Sequence, residues 1–110
     1  MFSHIMIGTN DLDKAKTFYD QLLGTLEVRP ARVDGHRIFY ITKTGVFSVS
    51  KPINGEAATC ANGATIGFAC NSPEQVEQWH AAGIAVYLMS KASSYHTADT
   101  FVIDGGYTAF

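Results

Sequence analysis

The chain has 110 residues, 46% hydrophobic and 16% charged, with eight Lys and Arg against ten Asp and Glu for a net charge of −2. That length holds one domain, which buries roughly 60–70% of its extended-chain surface, enough for a single core. The composition is too apolar for disorder. Neither sign of charge forms a block, which removes the electrostatic footprint that nucleic acid or an anionic membrane would need. The longest nearly apolar run, Ala81 to Met89, is about half a membrane span and contains Gly83. Met1 to Asn10 hold no basic stretch ahead of an apolar one, so no secretory signal is expected. Cys60 and Cys70 form no CxxC pair and are expected to be reduced core filler in a cytoplasmic protein.

In chain order, His4-Ile-Met-Ile-Gly8 is an apolar strand-like run. Asn10 is placed to cap the helix that follows, with Asp13 suited to the positive end of its dipole. Leu12, Ala15, Phe18 or Tyr19, and Leu22 recur at helical spacing, and Gly24 is placed to end the helix with a positive φ. Leu26 to Val28 reads as a short strand, kept to an edge or ended by Pro30. Arg37 to Ile41 and Val46 to Ser50 are β-rich and joined by a link of hairpin length, Thr42 to Gly45. Lys51 to Gly63, with Pro52, Gly55 and small residues, reads as a linker.

The opening pattern then returns. Thr65 to Ala69 reads as a strand, and Ser72-Pro73-Glu74-Gln75 starts a helix with Ser as cap, Pro at its first position and Gln closing a capping box. Val76, Trp79 and Ala82 share a helical face, Gly83 ends the helix, and Ile84 to Leu88 reads as a further strand. Setting His4 on Thr65 places Ile5 on Ile66, Ile7 on Phe68, Asn10 on Asn71, Phe18 on Trp79 and Tyr19 on His80. Two copies of a βα-led unit follow, neither able to cover its own sheet alone.

The opening His4-Ile-Met-Ile-Gly-Thr-Asn-Asp-Leu-Asp-Lys-Ala-Lys-Thr-Phe-Tyr-Asp-Gln-Leu-Leu-Gly24 resembles the first module of the vicinal oxygen chelate superfamily, with its D-L-x-x-A-x-x-F-Y-x-x-x-L-G pattern. Ser50 to Gly55, Asn62 to Ala69 and Trp79 to Gly83 look like a glyoxalase-like branch of it, so the resemblance covers residues 1–86. It implies an α+β fold of paired βαβββ modules of the glyoxalase/bleomycin resistance/dioxygenase kind, a U-shaped sheet around a pocket, and commonly a dimer. The expected single domain, 1–110, divides into module one at 1–50, the linker at 51–63 and a shortened, altered module two at 64–110. The last part departs from this pattern. Ser90 to Phe110 resembles the C-terminus of short-chain dehydrogenases, S-S-Y-x-T-G-x-x-F-V-x-D-G-G-Y. No Gly-rich turn or Y-x-x-x-K pair accompanies it, so this chimeric tail is expected to bring no redox chemistry. It would supply substitute final strands at Thr100–Asp104 and Tyr107–Phe110, turned at Gly105-Gly106.

Metal-using members of this superfamily take one ligand early in the first strand and one in the last strand of each module. Imidazole and carboxylate suit a divalent cation with open positions. His4 holds the first such position, but its internal equivalent is Thr65, and the last strand of module one offers Ser48 or Ser50 in place of Glu. One ligand of four cannot hold a catalytic metal, and His36, His80 and His96 form no ligand spacing with it. No nucleophilic triad is readable, no phosphate loop is present, and Asp11 and Asp13 suit a helix start better than acid–base work. Phe18, Tyr19 and Trp79 read as core, whereas Phe39, Tyr40 and Phe47 alternate on strands, so some of them face the concave side. The expected function is therefore a metal-independent small-molecule binding protein without established catalysis and without a cofactor. Its pocket would rest on His4, Phe39, Ser48 and Thr65, for a small hydrophobic or aromatic ligand. Alternatives are a divalent-metal-dependent lyase or dioxygenase, and a rearranged non-catalytic structural domain. An open sheet edge leads to the expectation of a homodimer, strand exchange being one route to it.

Overall fold

Period-two alternation in the strand-forming runs decides which side of the sheet each residue occupies. The computed structural model describes the backbone of residues 1–88 and the side chains of residues 1–83. Its elements are β1 (His4–Gly8), α1 (Leu12–Gly24), β2 (Arg32–Asp34), β3 (Arg37–Thr42), β4 (Gly45–Ser50) and α2 (Pro73–Leu88). The strands form one mixed sheet in the order β1-β4-β3-β2, with β1 parallel to β4 and the other pairs antiparallel. This βαβββ unit is the first of the two expected modules.

Register sorts the sheet into two faces. Ile5, Phe47 and Tyr40 lie in one row and Ile7, Val49, Ile38 and Val33 in the next, all on one face. Helix α1 packs on that face, and α2 packs against α1 and reaches the sheet through Trp79 and Phe68. The core is Leu22 and Leu23 of α1, Ile38, Tyr40, Phe47 and Val49 of the sheet, and Trp79 of α2. Rings run through it in contact: Tyr19 on Phe47 at 5.1 Å between centroids, Phe47 on Phe68 at 5.1 Å and Phe68 on Trp79 at 5.2 Å. Phe18, Tyr19 and Trp79 are thus core residues, as the helical spacing predicts.

A polar clamp fastens α1 to β3. The Tyr40 hydroxyl donates to Asp20 Oδ1 at 2.8 Å, the Ala31 amide donates to the same oxygen at 2.9 Å, and Lys16 Nζ donates to Asp20 Oδ2 at 2.6 Å. Burial by itself would raise the Asp20 pKa, but these three donors outweigh it and hold the carboxyl below its ordinary value. Burial, and then the adjacent Asp20 carboxylate, push the Tyr40 phenol far above its ordinary value, so it stays a neutral donor.

Several local expectations are corrected. The cap of α1 is Asp11, whose side chain accepts from the Lys14 amide at 3.1 Å. Asn10 is committed elsewhere: its Oδ1 accepts from the Ala58 amide at 2.7 Å and its Nδ2 donates to the Ala58 carbonyl at 3.3 Å. Gly24 stays helical, and the left-handed residue after the helix is Glu27, at φ 63°. Leu26 to Val28 is a turn, not a strand, and the edge strand is Arg32–Asp34, turned into β3 at Gly35-His36. Ser72 caps α2 by accepting from the Gln75 amide at 3.1 Å. The Gln75 side chain reaches further than a capping box requires, accepting from the Asn71 amide at 2.6 Å and donating to the Thr25 carbonyl at 3.1 Å.

The larger differences fall in the second half. Ile84 to Leu88 continues α2 instead of forming a strand; a short apolar run fits either state, and here it extends an existing helix through Gly83. Thr65 to Ala69 carries no strand assignment, because no neighbouring strand pairs with it among the described residues. Cys60 is exposed and only Cys70 packs against the core, where burial raises its thiol pKa. The expected final strands, their Gly105-Gly106 turn and the dehydrogenase-like tail lie outside the described residues. Among the described residues no helix is long and apolar enough to cross a membrane.

Candidate functional site on the open sheet face

The helix-free face of the sheet carries the other half of each strand's alternation. Its rows are His4, Val46 and Ile41; then Met6, Ser48, Phe39 and Arg32; then Gly8, Ser50, Arg37 and Asp34. Met6 and Ile41 are about half exposed there, and no helix of the described residues shields this side. The segment after β4 crosses one end of it. A Cβ built on Gly8 would meet the Ala58 Cβ at 3.2 Å and Pro52 Cγ at 3.9 Å, a close approach that glycine permits. The two Asn10–Ala58 hydrogen bonds hold that segment in place.

Ser48 stands in the middle row, flanked by Met6 and Phe39. It is 0% exposed, and its hydroxyl has no hydrogen-bond partner among the described residues. Most buried polar groups are paired, and an unpaired one costs about 1–3 kcal/mol. Beside it, Arg37 lies with its guanidinium carbon 5.5 Å from the centroid of the Phe39 ring. Arg37 Nη2 makes a long 3.3 Å contact with exposed Asp34, while its buried Nε has no acceptor among the described residues. Ser50, in contrast, is satisfied by donating to the Lys51 carbonyl at 2.7 Å.

The structure therefore brings three of the four sequence-predicted site residues to one face. Phe39 and Ser48 are direct cross-strand partners, and His4 is one row away. His4 is exposed, with its Nδ1 2.8 Å from the Ser3 hydroxyl. Thr65 is exposed and outside the sheet, separated from this set. Of the strand aromatics, Tyr40 and Phe47 went to the core and only Phe39 to the open face. The sequence reading missed Arg37 and Arg32; alternation from Phe39 through Arg37 would have found the first, but the second needed the unforeseen β2.

A cavity of about 480 Å³ lies elsewhere, at the sheet end where β1 begins and β3 turns into β4. Leu23, Leu26, Tyr40, Phe47 and Phe68 border it, and among the four predicted residues only His4 does. The donors around His4 do not fit the superfamily's metal. Its face-mates on β4 are Val46, Ser48 and Ser50, with no carboxylate in the strand that would supply one. Among the described residues no group of three or more His, Cys, Asp or Glu comes together.

No family model and no curated protein matches the chain. Among solved structures, it is similar to the crystal structure of a glyoxalase/bleomycin resistance protein from Albidiferax ferrireducens T118. The two are 54% identical with a TM-score of 0.76, over 77% of this chain and 68% of that one. The chain belongs to the glyoxalase/bleomycin resistance protein family. It is thereby a member of the vicinal oxygen chelate superfamily, and its four-stranded mixed sheet with two helices is that family's α+β fold.

Proposed function

We propose that this glyoxalase/bleomycin resistance family member is a metal-independent binding protein for a small hydrophobic or aromatic molecule, with the ligand seated on the open sheet face against Phe39, Ser48 and His4. The observation that carries this reading is the fully buried Ser48 hydroxyl between Met6 and Phe39, which has no partner among the described residues. An aromatic wall and one polar group without a partner make a surface that orients a small ligand. Thr65 would join this set only through a rearrangement of the segment from Asn62 to Ala69. The hydroxyls that replace carboxylates on β4 support binding without a metal, since serine is a weak ligand for divalent cations.

The outer edge of β1 has no strand partner among the described residues, which supports a homodimer that pairs or covers this edge. Light scattering that returns only monomer rejects that part. For the binding itself, thermal shift against a panel of small aromatic molecules is expected to give a concentration-dependent rise in Tm. Silence across the panel rejects it. Ni²⁺, Zn²⁺, Fe²⁺ and Mn²⁺ are expected to leave Tm unchanged. A metal-induced rise that disappears in His4→Ala would establish the metal-dependent lyase or dioxygenase reading instead.

A further inference from the structure

We infer that the ligand of the open face is an anion: an aromatic carboxylate whose ring lies on Phe39 and Met6 and whose carboxylate is read by Arg37, with Arg32 adjacent. The inference rests on the binding reading above and adds the charge of the ligand to it. Arg32 pairs across the hairpin with Phe39, and Arg37 pairs with Asp34, so the two guanidinium-bearing residues are diagonal neighbours on one corner of the face. Asp34 is the only acidic residue among the face positions of the four strands, so Arg32, Arg37 and Asp34 together carry one net positive charge.

Arg37 is not used up by its own fold. Its ion pair with Asp34 is long, at 3.3 Å, and Asp34 is largely exposed, so water competes for that contact. Its Nε is out of water without an acceptor among the described residues. A guanidinium presents donors in a planar fork that matches a carboxylate, and its carbon lies over the Phe39 ring, 5.5 Å from the centroid, so fork and ring are side by side. Ser48, one row along and cross-strand from Phe39, has a hydroxyl to donate. Met6, about half exposed on the other flank of Ser48, is the flexible side chain whose displacement would open it. Ring, fork and hydroxyl together suit an aryl carboxylate better than a neutral or cationic arene.

The test compares 2-naphthoate with 2-naphthamide, which share a ring system and differ in charge, by titration calorimetry on the full chain. The carboxylate is expected to bind at least about 10-fold more tightly at low salt, with the advantage shrinking as ionic strength rises. Arg37→Gln is expected to remove the preference, Arg37→Lys to keep part of it, and Phe39→Ala to weaken both probes equally. Equal affinity of the two probes for the unmodified protein overturns the anion assignment while leaving small-molecule binding intact. A preference that survives Arg37→Gln overturns the role of Arg37. Failure of both probes to bind, within a panel that does yield a ligand, overturns the aryl carboxylate class, and silence of the whole panel overturns the binding reading as well.

Discussion

Replacing Tyr40 by Phe removes a single buried hydroxyl. The ring is 1% exposed and wedged in the core, and phenylalanine keeps its shape there, so no cavity opens. What is lost is the hydroxyl that donates to Asp20 Oδ1 at 2.8 Å and also lies 3.3 Å from the Lys16 carbonyl, a longer and weaker contact. A hydrogen bond to a charged acceptor contributes about 1.5–3 kcal/mol. Asp20 keeps its Lys16 and Ala31 donors, and its side chain is 22% exposed, so water can take the vacated position and the loss falls near the lower end. We expect destabilisation of about 1.5 kcal/mol, which for a domain of this size lowers Tm by about 6–12 °C. The assay is urea unfolding followed by fluorescence, because the chain has a single tryptophan and Trp79 is buried against the same core. In a double-mutant cycle with Asp20→Asn, the two changes should couple by about 1 kcal/mol or more. If Tyr40→Phe lies within about 0.5 kcal/mol of the unmodified protein, the clamp between α1 and β3 contributes little and the assignment of stability to it is wrong.

Acid should act through the same carboxyl. Asp20 is held below its ordinary value of 3.8 in the folded state, so its stabilising contribution is complete above that value and is lost as pH falls through the lower, folded pKa. Urea midpoints are therefore expected to drop on acidification below about pH 4, with a shallower drop in Asp20→Asn; identical slopes would exclude Asp20 as the titrating group. Ser48→Ala removes a buried hydroxyl that has no partner among the described residues, so it should leave Tm unchanged or raise it by a few degrees while weakening binding of an aromatic carboxylate. A marked fall in Tm would mean that the hydroxyl has a partner within the fold.

Much of the first module was legible because each of its elements has its own punctuation. The helical spacing from Leu12 to Leu22 and the alternation through Arg37 to Ser50 placed α1, β3 and β4 within a residue or two. β2 escaped because Arg32-Val33-Asp34 is only three residues long, and its identity comes from pairing with β3, not from any run of its own. Asn10 and Asp11 are both good caps, and only the long-range bond from Asn10 to Ala58 decides between them. In the second half, Thr65 to Ala69 has the composition of a strand, but a strand exists through its neighbour. Ile84 to Leu88 shows the reverse: β-prone residues attached to a well-capped helix stay helical, because each added residue extends bonds already nucleated. Of the candidate site, Phe39 and Ser48 were readable from strand alternation, whereas Arg37 draws its interest from an unsatisfied atom that only coordinates reveal.

Tyr40 and Ser48 make the functional division of the sheet concrete. Both are almost completely buried, both carry a hydroxyl, and they lie on the neighbouring strands β3 and β4. On the helix face α1 supplies Asp20 as a partner, and the hydroxyl becomes part of the fold's stability. On the open face no element supplies one among the described residues, and there the Ser48 hydroxyl is an uncompensated cost to the folded state. A ligand that fills that vacancy gains an interaction for which the protein has already lost the water, so polar recognition there is stronger than at an exposed hydroxyl. Binding of this kind must also stabilise the fold, by an amount that grows with the logarithm of free ligand above Kd. The Tm of the unmodified protein should therefore climb steadily with 2-naphthoate, and with Ser48→Ala the same climb should begin from a Tm at least as high but at higher ligand concentration. Identical onset in the two proteins would show that the ligand bypasses Ser48, and would move the binding site off this face.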